Sequence, residues 1–389
     1  MTADSVARLL EAQGKLDEAE PLHREALDGK RRTLGDTHPS TLASINNLAN
    51  LLMKKGKLDE AEMMYLEALD GKRRTLGDTH TSTLDSINNF ASLLSYQGRL
   101  GEAEPLFREA LGGCRRTLGD KHPDTLGTIN NLAILLSRQG KLDEAEPLYR
   151  EALDEQRRTL GDMHPDTLGS INNLGILLKD QGKLGAAEPL CREAMEGRRR
   201  TLGDTHSSTL ASIKSLAILL KNQGKLAEAE PLCREAMDGR RRTLGDKHLD
   251  TLATISSMAT LLKDQDKLGE AESLYREALG GYRRMLGNAH PSTLASINSL
   301  AQLLRDQGKL IEAEPLYREA LDGEKRALGD THLDTLNSLY NFSCLLWKLG
   351  KREEAIEMFG LELEGVRHTL GENHPRTQQS LRNYSKIKL

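Results

Sequence analysis

The sequence predicts an all-α fold, a superhelical α-solenoid of about nine tandem helix-turn-helix repeats. A Leu-Gly pair recurs every 42 residues without insertion, and each period holds two stretches with helical apolar spacing. Aromatic residues make up only 3% of the chain against 38% hydrophobic residues, so the core is built mainly from Leu, Ile and Ala. We expect one solenoid over 1–389, with a truncated first helix at 1–14 and a lone terminal helix at about 375–389. The repeated glycines are Gly35, Gly77, Gly119, Gly161, Gly203, Gly245, Gly287, Gly329 and Gly371.

The first helix of each repeat follows a connector with the pattern HPxTL. Pro123 suits the first position of a helix, and Asp124 places a negative charge at the positive helix end. Gly140 is expected to end this helix in a left-handed conformation. One core face is predicted by helical spacing: Ile129, Leu132, Ala133 and Leu136. The same terminator recurs at Gly14, Gly56, Gly98, Gly140, Gly182, Gly224, Gly308 and Gly350, with Asp266 as the departure.

The second helix is expected to begin near Lys141 or Leu142 and to end at Gly161. Pro147 falls inside it, where proline removes a backbone hydrogen bond, and we interpret it as a tolerated bend near the start. The apolar stripe comprises Leu142, Ala145, Tyr149 and Ala152. Cys191 and Cys233 stand in the Tyr149 slot of other repeats and are interpreted as small core replacements.

The stretch NNLAILLSRQGKLDEAEPLYREAL, with these core positions, resembles a tetratricopeptide repeat. The usual period is 34 residues, and the 42-residue variant with an LGDxHPDTL connector resembles kinesin light chains and nephrocystin-3-like proteins. The resemblance implies a non-enzymatic cytoplasmic scaffold that holds peptide segments in a concave groove. More narrowly, it implies a cargo adaptor with kinesin heavy chain or cargo as partner. The alternative is a ligand-recognition region of a larger signalling protein whose NTPase or catalytic domain lies outside this chain.

Composition excludes several other functions. A net charge of −4 and a sequence pI of about 6.3 argue against nucleic-acid binding. We expect no membrane insertion, because no apolar run approaches the ~20 residues that span a bilayer. The four cysteines are sparse, which favours a reducing compartment over disulfides or zinc.

Catalytic motifs such as GxxxxGK[ST], HExxH and GxSxG are missing from the sequence. We therefore predict no catalytic residues, no cofactor and no metal. The histidines recur one per period, and we interpret them as loop or capping residues.

Asparagines define the predicted groove. At 100° per residue, Asn130 lies on a stripe offset from the core face, and by resemblance this stripe lines the groove. An amide both donates and accepts, so a ladder of amides could bind a peptide backbone. The second asparagine of each pair, such as Asn131, could instead bond a neighbouring helix. The predicted rungs are Asn46, Asn88, Asn130, Asn172 and Asn298, with Lys214, Ser256 and Tyr340 replacing the amide in three repeats.

Two further rows on this stripe predict the ligand. An isoleucine row (Ile134, Ile176, Ile218) adjoins a basic row (Lys179, Lys221, Lys263, Arg305), and Lys214 adds to the charge. These rows favour an extended, acidic ligand with an apolar anchor. The alternative is a solvated face, screened by Asp180, Asp264 and Asp306.

The last full repeat carries a distinct set on the same stripe, Tyr340, Cys344 and Trp347. These residues could form an aromatic pocket at the end of the groove. The alternative, slightly favoured, is that they pack on the terminal helix.

Overall fold

The computed structural model describes residues 3–12 and 15–388, and every regular element within them is an α-helix, as predicted. Gly14 lies outside the described residues. The 16-residue first helices are α3 (Pro39–Lys54), α5 (Thr81–Tyr96), α7 (Pro123–Arg138), α9 (Pro165–Asp180), α11 (Ser207–Asn222), α13 (Leu249–Asp264), α15 (Pro291–Asp306) and α17 (Leu333–Lys348). The 19-residue second helices are α2 (Leu16–Leu34), α4 (Leu58–Leu76), α6 (Leu100–Leu118), α8 (Leu142–Leu160), α10 (Leu184–Leu202), α12 (Leu226–Leu244), α14 (Leu268–Leu286), α16 (Leu310–Leu328) and α18 (Arg352–Leu370). The ends are α1 (Ala3–Ala12) and α19 (Pro375–Lys388).

The repeated histidine caps the first helix, which confirms its predicted role. In α7, the backbone N–H of Asp124 donates to Nδ1 of His122 over 3.2 Å. Equivalent bonds begin α3, α5, α9, α11, α13, α15 and α17. The imidazole therefore satisfies a donor that the helix start leaves without a partner.

Each first helix ends in a Schellman motif, which satisfies the last carbonyls. In α7, Gly140 donates to the Ser137 carbonyl (3.0 Å) and Lys141 donates to that of Leu136 (2.9 Å). Gly140 has a φ of 77°, which confirms the predicted left-handed terminator. Asp266 takes the same conformation with a φ of 63°, at a steric cost that glycine avoids.

The second helix runs unbroken through its internal proline. Pro147 is the sixth residue of α8, which begins at Leu142 and extends to Leu160. The helix therefore tolerates proline in its second turn.

The core lies between the two helices of each repeat and the first helix of the next. Tyr65 and Tyr317 are fully buried, and Cys191 and Cys233 fill the same slot at 1% and 2% exposure, which confirms the core replacement. In seven repeats a helical glycine makes room for a core leucine: a Cβ on Gly323 would lie 2.4 Å from Cδ2 of Leu294. Position 155 is the exception.

Ion pairs join the second helices of consecutive repeats. Arg115 Nη2 lies 2.5 Å from Glu151 Oε1, and Arg241 Nη2 lies 2.7 Å from Glu277 Oε1. In a second series of ion pairs, lysines donate hydrogen bonds to carboxylates. The hydrogen bond from Lys267 is the largest of the effects that lower the pKa of Glu230 to about 2. These pairs are exposed and individually weak, so burial supplies most of the cohesion between repeats.

The chain divides into two compact units, residues 1–197 and 198–389, with the boundary inside α10. Within each unit, first helices of neighbouring repeats approach one another more closely than second helices do. The first helices therefore form the inner face of each unit. In the part of the chain that the structure describes, no helix is long and apolar enough to cross a membrane.

Candidate functional site

The asparagine series lies on the inner face, but two of its members are buried. Asn46 is only 8% exposed and accepts a 3.2 Å hydrogen bond from Ser86 Oγ of the next first helix. Asn172 is buried to a similar degree. The structure corrects the expectation that these two face a groove, because the next helix packs over the position that the stripe assigned to solvent.

The half-buried asparagines also bond neighbouring helices. Asn130 Nδ2 donates to Ser170 Oγ (2.8 Å), and Asn298 Nδ2 donates to Ser338 Oγ (2.7 Å). Asn131 Nδ2 donates to Asn88 Oδ1 over 3.2 Å, the interhelical role left open for the second asparagine. These bonds fix the spacing of first helices, so a ligand-binding role for the amides stays a prediction.

The basic row lies at the carboxyl ends of the first helices and is partly neutralised. In the second unit, Lys221 Nζ lies 3.1 Å from Asp264, and Lys263 Nζ lies 3.1 Å from Asp306. Arg305 also contacts Asp306, at 3.3 Å, and in the first unit Lys179 contacts Asp180 at 2.9 Å. Aspartates thus contact every member of the row, as the screening alternative anticipated.

The isoleucine row opens onto a cavity in the first unit. Ile134 is 39% exposed, and with Ile176 it lines a cavity of about 370 Å³ between α7 and α9. Tyr149 and Leu177 line the same cavity, with Arg138 and Asp180 among the polar residues around it. An apolar side chain could be buried there.

The C-terminal aromatic set packs on its own neighbours. The Tyr340 ring meets Phe359 edge to face at 5.8 Å, and its hydroxyl accepts a 3.2 Å hydrogen bond from Asn383 in α19. The guanidinium carbon of Arg352 lies 3.5 Å from the centroid of the Trp347 ring. Tyr340 therefore takes the packing role that the sequence slightly favoured, while binding at Trp347 stays a prediction.

A position on the second helix, which the sequence reasoning missed, also reaches the inner face. We call it the inner slot, and it projects toward the next first helix. Lys72 Nζ donates to Ser86 Oγ (2.7 Å), Arg198 Nη1 to Ser212 Oγ (2.7 Å) and Arg240 Nη1 to Thr254 Oγ1 (2.6 Å). Its occupants are Lys30, Lys72, Cys114, Gln156, Arg198, Arg240, Tyr282, Glu324 and Val366.

Two inner slots without a cation open into cavities. The Gln156 pocket measures about 420 Å³ and is lined by residues of α5, α7, α8 and α9, all in the first unit. The Glu324 pocket measures about 230 Å³ and lies among α15, α16 and α17 in the second unit. The signal was visible in the sequence, because this position changes charge between repeats that share the same 42-residue pattern.

Glu324 is the most perturbed acid of the inner face. Its side chain is buried, and Oε1 accepts a 2.8 Å hydrogen bond from Asn298 Nδ2. Burial raises the pKa of Glu324 to about 7, although its hydrogen bond with Ser338 acts in the opposite direction. The carboxyl is therefore poised between its neutral and charged forms near neutral pH.

No cluster of His, Cys, Asp or Glu side chains suited to a metal ion occurs within residues 3–12 and 15–388. The four cysteines are free.

These features define a class of protein, the repeat-built interaction scaffold, in which stacked helix pairs present a polar inner face. The chain belongs to the tetratricopeptide repeat family: its sequence matches family profiles described as tetratricopeptide repeat over 1–40, 41–116, 85–157, 124–199, 209–284 and 292–364. Such repeats typically form non-catalytic scaffolds that bind protein partners.

A solved structure with a TM-score above 0.5 shares this fold. The crystal structure of BtubC (BKLC) from P. vanneervenii is 20% identical, with a TM-score of 0.51 over 60% of this chain and 94% of that chain. A Podosopora anserina putative kinesin light chain with nearly identical TPR-like repeats is 28% identical, with a TM-score of 0.46 over 53% of this chain and 98% of that chain. A search of curated proteins gives no match.

Proposed function

We propose that the inner face of the second unit holds an extended acidic segment of a protein partner, with an apolar side chain as anchor. The observation that carries the proposal is an excess of positive charge along one edge of this face. Lys221, Lys263 and Arg305 give three cations, against the two carboxylates of Asp264 and Asp306, a difference of one positive charge.

The burial of these cations supports binding rather than a purely solvated role. The side chains of Lys221, Lys263 and Arg305 are 22%, 21% and 14% exposed, so their charges are only partly hydrated. A partner carboxylate placed there would gain more from each cation than it would at an open surface. Asp264 and Asp306 compete with that carboxylate, which favours selectivity and reversible exchange over very tight binding.

The apolar part of the proposal rests on the isoleucine row. Ile218 lies half-buried beside the basic row in the second unit. Its counterpart Ile134 in the first unit opens onto the 370 Å³ cavity, which supports the placement of an apolar anchor on this row. An anchor buried there would add roughly 1.5–3 kcal/mol of favourable free energy.

The narrower role of a kinesin-light-chain-like cargo adaptor stays a prediction from the sequence resemblance. The same holds for the alternative, a recognition region of a larger signalling protein. A cytoplasmic location belongs to this proposal, and the four free cysteines support it because they fit a reducing compartment.

The proposal is tested by binding of a peptide library to the full chain. We expect enrichment of acidic peptides with one large apolar residue. The double variant Lys221→Glu, Lys263→Glu should weaken binding of an enriched peptide by about tenfold or more, because two attractive charge pairs with the peptide become repulsive. The variant Asp264→Asn, Asp306→Asn should strengthen it, since the competing carboxylates are gone.

A matched control separates the inner face from net charge alone. Lys247→Glu with Arg284→Glu changes the net charge by the same amount at exposed positions outside the first helices. This control should bind as the unmodified chain does. Equal losses in both double variants, or no loss in either, would show that the basic row is only a solvated face.

A further inference from the structure

The Gln156 pocket is set apart by the charge of its walls. Its described lining includes three carboxylates, Asp85, Asp124 and Asp166, and no lysine or arginine. Asp85 is exposed, yet desolvation of its carboxyl raises the pKa of that group, and the neighbouring charge of Asp124 adds to the rise. Three nearby groups act in the opposite direction and lower the pKa of Asp85: Lys72 and the capping histidines His122 and His80.

Two amide donors in the pocket wall are already used, while two buried amide acceptors have no partner among the described residues. Asn130 donates to Ser170 and Asn131 donates to Asn88. Gln156 is only 3% exposed and lines the pocket, and its Oε1 has no partner among the described residues. Oδ1 of Asn130 is also buried and has no hydrogen-bond partner among the described residues. Buried acceptors without donors are costly, so the pocket is suited to a ligand that brings donors and positive charge.

The other repeats show which group suits this position. In the second unit, Arg240 fills the inner slot and its Nη1 donates both to Thr254 Oγ1 (2.6 Å) and to the Asp250 carbonyl (2.9 Å). Arg198 makes the same two bonds, to Ser212 Oγ (2.7 Å) and the Ser208 carbonyl (3.1 Å). One period of 42 residues before Ser212 and Ser208 stand Ser170 and Asp166, both in the wall of the Gln156 pocket.

The cavity itself has a local cause. Position 155 is glutamate, whereas the equivalent positions in neighbouring repeats are Gly113 and Gly197, where a Cβ would lie 2.3 Å from a core leucine. Helices α7 and α8 accordingly pack less closely than α3 with α4 or α5 with α6. Gly127 and Gly169 line the pocket and leave further space, since neither carries a side chain. This repeat therefore departs from its neighbours at several positions that face one cavity.

We propose that the Gln156 pocket binds a guanidinium group, supplied by an arginine side chain on a protein partner. The group takes the place that Arg198 and Arg240 fill in their own repeats, and it donates to Ser170, to the Asp166 carbonyl and to the unpartnered acceptors. Guanidinium is preferred over ammonium because it carries five donors in a fixed fork. The partner source rests on the proposed scaffold function, whereas the chemistry of the pocket does not.

The test uses the full chain and an acetylated, amidated peptide, Ala-Ala-Arg-Ala-Ala, titrated by calorimetry. Replacing its arginine with citrulline, which keeps the shape and removes the charge, should weaken binding by about tenfold or more. Gln156→Arg should abolish binding, because the chain then fills the pocket with its own guanidinium, as Arg240 does. Equal binding of the two peptides, or equal binding to the chain and to Gln156→Arg, overturns the proposal.

Two further arms keep the outcome decisive. The double variant Asp124→Asn, Asp166→Asn should weaken binding of the arginine peptide without filling the cavity. It keeps the test decisive if the Gln156→Arg chain fails to fold. Ethylguanidinium tests the source: if it binds as tightly as the peptide, the partner assignment is wrong. If ethylguanidinium binds and neither arginine nor acidic peptides do, the scaffold function fails while the pocket chemistry stands. If neither ethylguanidinium nor the arginine peptide binds, the pocket assignment itself fails.

Discussion

The Gln156 pocket and the Glu324 pocket occupy equivalent positions in two units, since 324 is 156 plus four periods of 42. Both are bounded by consecutive first helices, and both place an acceptor at the inner slot. They differ in size, about 420 against 230 Å³, and in the slot residue, a neutral amide against a carboxyl whose pKa is raised to about 7. One position on the second helix therefore changes the charge beside the pocket from one repeat to another.

The largest expected effect concerns the buried carboxyl. Because the folded pKa of Glu324 is about 7 and its ordinary value is 4.5, the native state binds the proton more tightly than the unfolded state does. Stability should therefore fall as pH rises from about 4.5 to 7. Glu324→Gln should remove this loss and stabilise the chain at pH 8 by up to about 3 kcal/mol. Urea unfolding at pH 5 and pH 8 measures it, with exposed Asp322→Asn on the same helix as control. A pH dependence that Glu324→Gln leaves unchanged contradicts the assignment.

The next effect concerns the size of the two pockets. Gly323 lets Leu294 pack against α16, so Gly323→Ala should overpack the repeat and cost about 1–3 kcal/mol in unfolding free energy. Gly280 is also helical, but nothing lies within 4 Å of its Cβ position. Gly280→Ala should therefore stabilise, by about 0.5–1 kcal/mol. Denaturant unfolding of the two variants gives the comparison, and similar effects from both would remove the steric explanation for the pocket volumes.

A smaller difference between the units lies at the end of α13. Asp266 holds a φ of 63° where the first unit has glycines such as Gly98 and Gly140. Asp266→Gly should stabilise the chain by about 1 kcal/mol, whereas Gly140→Asp should cost a similar amount. Thermal unfolding of the two variants measures this reciprocal pair. Shifts in the same direction would argue against conformational strain at this position.

The smallest expected effect is a helix cap. Desolvation lowers the pKa of His290, which caps α15 beside the Glu324 pocket through its neutral Nδ1. Its stabilisation is therefore present above pH 6.5 and lost as pH falls through the lowered folded pKa. Asparagine caps a helix without titrating. His290→Asn should therefore reduce the loss of unfolding free energy between pH 7 and pH 5 by about 0.5–1 kcal/mol. Unfolding at pH 7 and pH 5 tests this, and an unchanged difference between the two pH values rules the cap out as its source.

The fold followed from the sequence because it depends on strictly periodic features. The 42-residue step, the capping histidine and the left-handed glycine terminator each report a local backbone requirement, and each is confirmed. The asparagine series shows where such reasoning stops. The helical projection placed Asn46 on a groove stripe, but its burial depends on how closely the next first helix approaches, which no single-helix projection contains.

The inner slot shows a second limit. Gln156 lies on a second helix, whereas the predicted groove residues all lie on first helices, so its reach to the inner face emerges only from packing. The pocket also depends on Glu155, because a single Cβ beside a core leucine changes the spacing of α7 and α8. Positions 155 and 156 both differ from the equivalent residues of the neighbouring repeats. Such departures from the strict repeat indicate a candidate site more directly than the repeated residues do.

We expect the inner slot to determine what each repeat can bind. Titration of the arginine peptide at pH 8 against the unmodified chain, Gln156→Glu and Gln156→Arg tests this expectation. We expect the glutamate variant to bind about tenfold more tightly than the unmodified chain, because a buried carboxylate then faces the guanidinium, and the arginine variant not to bind. The same affinity in all three proteins would contradict this expectation.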